Sequence, residues 1–120
     1  MKSGLARGFC TVSATAWMAA MLAAIPPSSA AEELYQVQLT AKDGRFYPET
    51  IEVPAGTRFK IVITNDGPGP EEFESNNPHR EKVLAAGGTS FVIFPALKPG
   101  IYPFFGEFHP DTAKGRIVVK

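Results

Sequence analysis

Two short runs hold the chemistry of this chain. Glu107-Phe108-His109 sets a carboxylate and an imidazole two residues apart, and Glu71-Glu72-Phe73-Glu74 sets three carboxylates around one phenylalanine. On an extended backbone, residues two apart share a side. That spacing pairs Glu107 with His109 and Glu72 with Glu74. Carboxylates gathered so closely repel, and a cation is their natural neutraliser. Oxygen and imidazole donors suit Cu(II), Fe(II), Fe(III) and Zn(II), whereas Cu(I) prefers sulfur. The metal-ligand candidates are therefore His109, Glu107, Glu72, Glu71 and Glu74, with His79 as the other imidazole of the chain.

Each candidate also has a plain structural reading. His109 can be an ordinary loop histidine, and Glu107 a carboxylate that accepts backbone N–H groups. The Glu71 to Glu74 run can be a solvated acidic edge that discourages strand pairing. His79 stands in an Asn-Asn-Pro-His loop open to solvent, and Asp111 suits a turn. Hydrolytic chemistry is not favoured: neither Ser75 nor Ser90 has a base beside it in sequence, and no glycine loop opens a helix to cradle phosphate.

Residues 1–30 read as a cleaved secretory signal and residues 31–120 as the single folded domain. Lys2 and Arg7 give a basic start, Ala14 to Ile25 is mostly apolar, and Pro26-Pro27-Ser28-Ser29-Ala30-Ala31 supplies the small residues of a cleavage site. The apolar stretch falls short of the ~20 residues that a membrane span needs. The expected location is therefore the periplasm. Cys10, Trp17 and the methionines at positions 1, 18 and 21 all fall within the signal. The exported chain then has no sulfur, so it can make neither a disulfide nor a thiolate site. Loss of Lys2 and Arg7 leaves ten basic residues against twelve acidic ones, a net charge of about −2. No basic patch offers itself to nucleic acid.

The elements that must carry the two runs are strands. Tyr35, Val37 and Leu39 alternate with glutamines, and Phe59, Ile61 and Ile63 alternate with polar residues. Thr50 to Val53, Glu71 to Ser75, Glu81 to Leu84, Ser90 to Phe94, Ile101 to Phe105 and Arg116 to Lys120 complete the set. Asp43-Gly44, Pro54-Ala55-Gly56, Asn65-Asp66-Gly67-Pro68-Gly69-Pro70, Gly87-Gly88 and Lys98-Pro99-Gly100 punctuate them. No window carries a helical period. Short strands at this spacing predict an all-β sandwich or barrel.

The motif Phe46-x-Pro48-x-x-Ile51-x-Val53-Pro54-Ala55-Gly56-Thr57, followed by Ile61-x-Ile63-x-Asn65, resembles the opening of a cupredoxin-type domain. Leu97-Lys98-Pro99-Gly100-x-Tyr102-x-Phe104 and Gly115-x-Ile117-Val118-Val119 resemble its close. The resemblance implies a Greek-key β-sandwich of about seven short strands. Glu71 to Ser75, Arg80-Glu81-Lys82 and Phe104 to Pro110 further resemble the small periplasmic cupredoxin-like components of bacterial ferrous-iron permease systems. That likeness implies copper, iron or both as the metal, a role in electron transfer or ferrous-iron oxidation, and a membrane iron permease or redox protein as partner. It implies a metal-binding partner rather than a stand-alone enzyme. Of the four blue-copper positions, the first histidine falls on Glu71, the cysteine near Gly106 and the methionine near Thr112 or Ala113. His109 alone matches, so the resemblance implies Cu(II) without a blue type 1 site. The alternative is a metal-free sandwich serving as an interaction module.

Overall fold

The structure, a computed structural model, describes residues 34–120 together with residues 3, 4, 8, 23 and 24. Apart from those five positions, the expected signal over residues 1–30 lies outside the described residues. Contacts divide the chain into Met1–Ala30 and Ala31–Lys120, and every described strand belongs to the second unit.

Among the described residues there are nine strands and no helix: β1 (Tyr35–Lys42), β2 (Arg45–Tyr47), β3 (Thr50–Val53), β4 (Phe59–Asn65), β5 (Glu71–Asn76), β6 (His79–Leu84), β7 (Thr89–Phe94), β8 (Gly100–Gly106) and β9 (Lys114–Val119). They form a four-stranded sheet in the order β2-β1-β4-β7 and a five-stranded sheet in the order β3-β9-β8-β5-β6. The all-β sandwich is as expected. The count exceeds about seven because β2 is only three residues long, with one buried side chain, Phe46. A period-two signal needs more residues than that to show.

Period two decides what fills the space between the sheets. In β4, Phe59, Ile61, Ile63 and Asn65 point inward and the residues between them do not. In β5 the inward set is Glu71, Phe73 and Ser75. Phe46, Phe59, Phe73, Phe94 and Phe104 are all essentially inaccessible to water. Phe73 is the hub of this group. Its ring lies 6.1 Å from Phe46, 5.2 Å from Phe104 and 6.3 Å from Phe94, in edge-on or tilted arrangements that suit the aromatic quadrupole.

Two local devices bring the chemically active loops into place. Lys42 pairs with Arg45, so Asp43 and Gly44 form a two-residue hairpin loop with positive φ at both positions (52° and 69°). This is the primed turn that Asp-Gly favours. At the end of β4, buried Asn65 donates from Nδ2 to the Gly69 and Leu84 carbonyls, at 2.8 and 3.2 Å, and its Oδ1 accepts the Gly67 N–H. Asn65 therefore fixes the Gly/Pro loop that delivers Glu71 to the start of β5. Its role follows from β4's alternation running on through Phe59, Ile61 and Ile63, although the sequence reads Asn65 as the residue that opens the turn.

Candidate metal centre

The carboxylates and imidazoles named from the sequence fall into two groups, on opposite faces of the five-stranded sheet. Glu71 points inward and Glu72 and Glu74 outward, because Phe73 between them belongs to the core. Strand β8 repeats the division: Phe104 and Gly106 face in, and Glu107, directly after the strand, faces out beside Glu72. The Glu107 N–H donates to the Glu72 carbonyl at 3.0 Å.

The inward group is a pair. Glu71 Oε2 stands 2.6 Å from His109 Nδ1. Its other oxygen, Oε1, accepts the N–H of Glu72 at 3.1 Å and of Phe108 at 3.3 Å. The Glu71 side chain is 5% exposed and the His109 side chain 50%. Since Glu71 serves as acceptor throughout, His109 donates from Nδ1 to the carboxylate. The backbone of His109 is held as well. The His109 N–H donates to the Gly106 carbonyl, and the His109 carbonyl accepts the Ala113 N–H at 2.8 Å. The chain therefore coils tightly through residues 106–113 instead of staying extended. This separates Glu107 from His109, which extended spacing would place side by side. The β1–β2 turn abuts the imidazole: a Cβ on Gly44 would lie 3.1 Å from His109 Cδ2. Thr112 Oγ1 donates to the Gly44 carbonyl and ties that turn to the loop. A cavity of about 360 Å³ opens here, with Glu71, His109, Gly44, Asn65 and Thr112 in its wall.

The outward group is a carboxylate cluster. One oxygen each from Glu72, Glu74 and Glu107 lie within 4.8 Å of one another. Partial burial, then the charge of Glu107 and a hydrogen bond with it, raise Glu72 above its ordinary value of 4.5. Partial burial, then the hydrogen bond and charge of Glu107, raise Glu74 in the same way, and His79 acts in the opposite sense. Glu81 adds further negative charge to both. His79 itself sits at the start of β6, opposite Asn76, exposed and 4.0 Å from Glu81. It is not one of the three converging residues.

A carboxyl group whose pKa is raised on folding favours the folded state most when protonated. That contribution is complete below about 4.5, the unfolded value, and is lost as pH climbs through the raised folded values. Glu107→Gln removes the main negative neighbour of both residues. The variant is expected to keep more of its acid-side stability as pH rises from 4 to 7. Thermal melts across that range check this, and a pH profile parallel to that of the parent chain would contradict it.

Glu71, Gly106 and His109 do converge, together with Ala113, one of the two positions (Thr112 or Ala113) near which the resemblance puts the methionine. The space is already used, however. A Cβ at Gly106 would lie 2.7 Å from Glu71 Oε1 and 2.8 Å from the Ala113 Cβ. The carboxylate of Glu71 fills the room that a cysteine side chain would need, and no sulfur donor is present beyond residue 30. A thiolate copper site does not fit these residues.

A family profile described as a cupredoxin-like domain matches residues 12–119. The chain is 41% identical over 93 residues to an uncharacterized protein of Rickettsia prowazekii (strain Madrid E), covering 78% of this chain and 74% of that one. Among solved structures it is similar to auracyanin A, a blue copper protein of Chloroflexus aurantiacus, at 15% identity and a TM-score of 0.64, over 73% of this chain and all of that one. It is also similar to a purple cupredoxin from Nitrosopumilus maritimus, at 22% identity and a TM-score of 0.54, over 70% and 99% of the two chains. The metal-binding domain of a Cu(I)-exporting P-type ATPase from Streptococcus pneumoniae D39 is similar at 15% identity and a TM-score of 0.61, over 71% and 84%. At these identities the likeness to solved structures is one of fold.

Proposed function

Because the chain belongs to the cupredoxin-like domain family, yet has a sandwich without sulfur, we propose that it is an exported metal-binding protein that holds copper or iron through oxygen donors. Its role is electron transfer or ferrous-iron oxidation in support of iron uptake. The observation that carries this reading is the convergence of Glu72, Glu74 and Glu107 on one exposed sheet face. Three carboxylates, two of them with raised pKa values, form a site whose repulsion a cation relieves. Hard oxygen donors select Cu(II), Fe(II) or Fe(III) over Cu(I). Bound there, the metal would supply a one-electron couple at the protein surface. The protein's own part is to keep the three oxygens together. It does so through the β5–β8 pairing and the Glu107 N–H bond to Glu72.

Phe108, next to Glu107 in sequence and half-exposed, gives this loop an apolar contact point. An apolar spot beside a metal edge suits a redox protein or a membrane iron permease as partner. Calorimetric titration of the protein with Cu(II), and with Fe(II) under anaerobic conditions, tests the reading. Binding at micromolar strength or tighter is expected, with Glu107→Gln weakening it by about tenfold or more, since ligand charge count sets affinity. Absence of binding in that range, or an unchanged constant in the variant, would overturn it.

A metal-free interaction module is favoured by one observation: Glu71 already closes the inner position by hydrogen bonds. Melts with and without Cu(II) separate the two readings, because a ligand that binds only the folded state raises its stability.

A further inference from the structure

We propose that Glu71 orients His109 so that the imidazole meets a metal ion through Nε2, at the rim cavity, and never through the inward-facing Nδ1. This inference rests on the reading of the chain as a metal-binding protein, but it concerns a different position from the outward carboxylates.

Three observations carry it. Nδ1 is committed to a buried carboxylate at 2.6 Å. That carboxylate is itself held by two backbone N–H groups, so it cannot turn aside without orphaning them. The ring is nevertheless half-exposed, and no described group bonds its Nε2. A carboxylate behind one ring nitrogen fixes the tautomer and leaves the lone pair on the other. Here that arrangement stands ready-made beside a cavity of about 360 Å³. The Cγ–Cδ2 edge of the ring lies close to Gly44, and the His109 backbone is held to Gly106 and to Ala113.

The ligand class follows from the chemistry. One imidazole nitrogen in a cavity wall that also holds Asp43, Asn65 and Thr112 suits a borderline divalent ion such as Zn(II) or Cu(II). With a single protein nitrogen, the ion keeps several other positions for water or for a partner's groups. Glu71 is a positioning residue in this scheme, since it acts through His109 and does not touch the ion.

Zn(II) is a suitable diamagnetic probe. The test follows the imidazole nitrogens of His109 by nitrogen-15 NMR in the full-length protein, together with the carboxylate carbons of Glu72, Glu74 and Glu107. The expected result is a Zn(II)-dependent shift of Nε2 while Nδ1 keeps its proton. Loss of the Nδ1 proton on adding Zn(II) would overturn the inference. So would a Zn(II) response confined to the outward carboxylates with His109 unmoved, a result that would leave the proposed function standing. The reverse pattern, in which Nε2 responds and the carboxylates do not, would support the inference and sink the outward site. Glu71→Gln keeps an acceptor oxygen and is the variant of choice for folding. It should weaken Zn(II) binding at Nε2 by about tenfold, with a measurable Nδ1-protonated to Nε2-protonated tautomer shift. Unchanged affinity and an unchanged tautomer would count against the inference.

Discussion

Phe73→Ala is expected to lower the stability of the sandwich by about 4 kcal/mol, as for other fully buried aromatic truncations. Phe73 is inaccessible to water and packs against three other buried phenylalanines. Its removal leaves a void that two sheets, each fixed by its own ladder, cannot collapse to fill. Small domains hold only about 5–15 kcal/mol in total, so the variant should stand close to unfolding. The loss also reaches the metal face. Phe73 is the inward residue between outward Glu72 and Glu74, so its ring is what keeps this stretch of β5 in register against β8. Urea denaturation measures the cost. A loss below about 1 kcal/mol would mean that the aromatic cluster is not the centre of the fold. Phe73→Leu, which keeps most of the volume, should cost much less.

Glu71→Ala is the second large effect. Three donors lose their acceptor together: the N–H groups of Glu72 and Phe108, and His109 Nδ1. Hydrogen bonds to a charged group contribute about 1.5–3 kcal/mol, and orphaned buried donors add a penalty. Since His109 is half-exposed and can turn to water, the expected total is about 2–4 kcal/mol. For a domain of this size that is a fall in melting temperature of roughly 10–25 °C. His109→Ala should cost less, about 1 kcal/mol, because Glu71 keeps both backbone donors. Calorimetric melts of the two variants give the comparison. If His109→Ala proves the more damaging, the carboxylate is not the anchor of this loop.

Much of this architecture is legible in the amino-acid order alone. Phe59, Ile61 and Ile63 announce β4, and Asp43-Gly44 announces the first hairpin, because alternation and turn chemistry are local properties. β2 is illegible because three residues make no period. The identities of the site residues are also legible, but their separation is not. The two-residue spacing of Glu107 and His109 gives a shared side only to an extended chain, and hydrogen bonds to Gly106 and Ala113 coil it instead. Those bonds close within residues 106–113, where no residue type or spacing announces them. Glu71 is the instructive case. It stands two residues before Phe73, and Phe73 is plainly a core residue, so the alternation already sends Glu71 inward. The signal lies in the phenylalanine and is masked by the run of like charges around it. Asn65 is hidden in the same way, a polar residue at an inward position of an otherwise apolar series.

The order of strands has a temporal consequence. β9 lies between β3 and β8, and it pairs in parallel with β3, Thr50 beside Arg116. The five-stranded layer thus joins a segment near residue 50 to one near residue 116, and long loops must close before that pairing is rewarded. Until β9 is made, β3 and β8 each have an open flank and the layer stays in two pieces. The sheet therefore remains pliable until β9 is available, and only then does the sandwich snap shut.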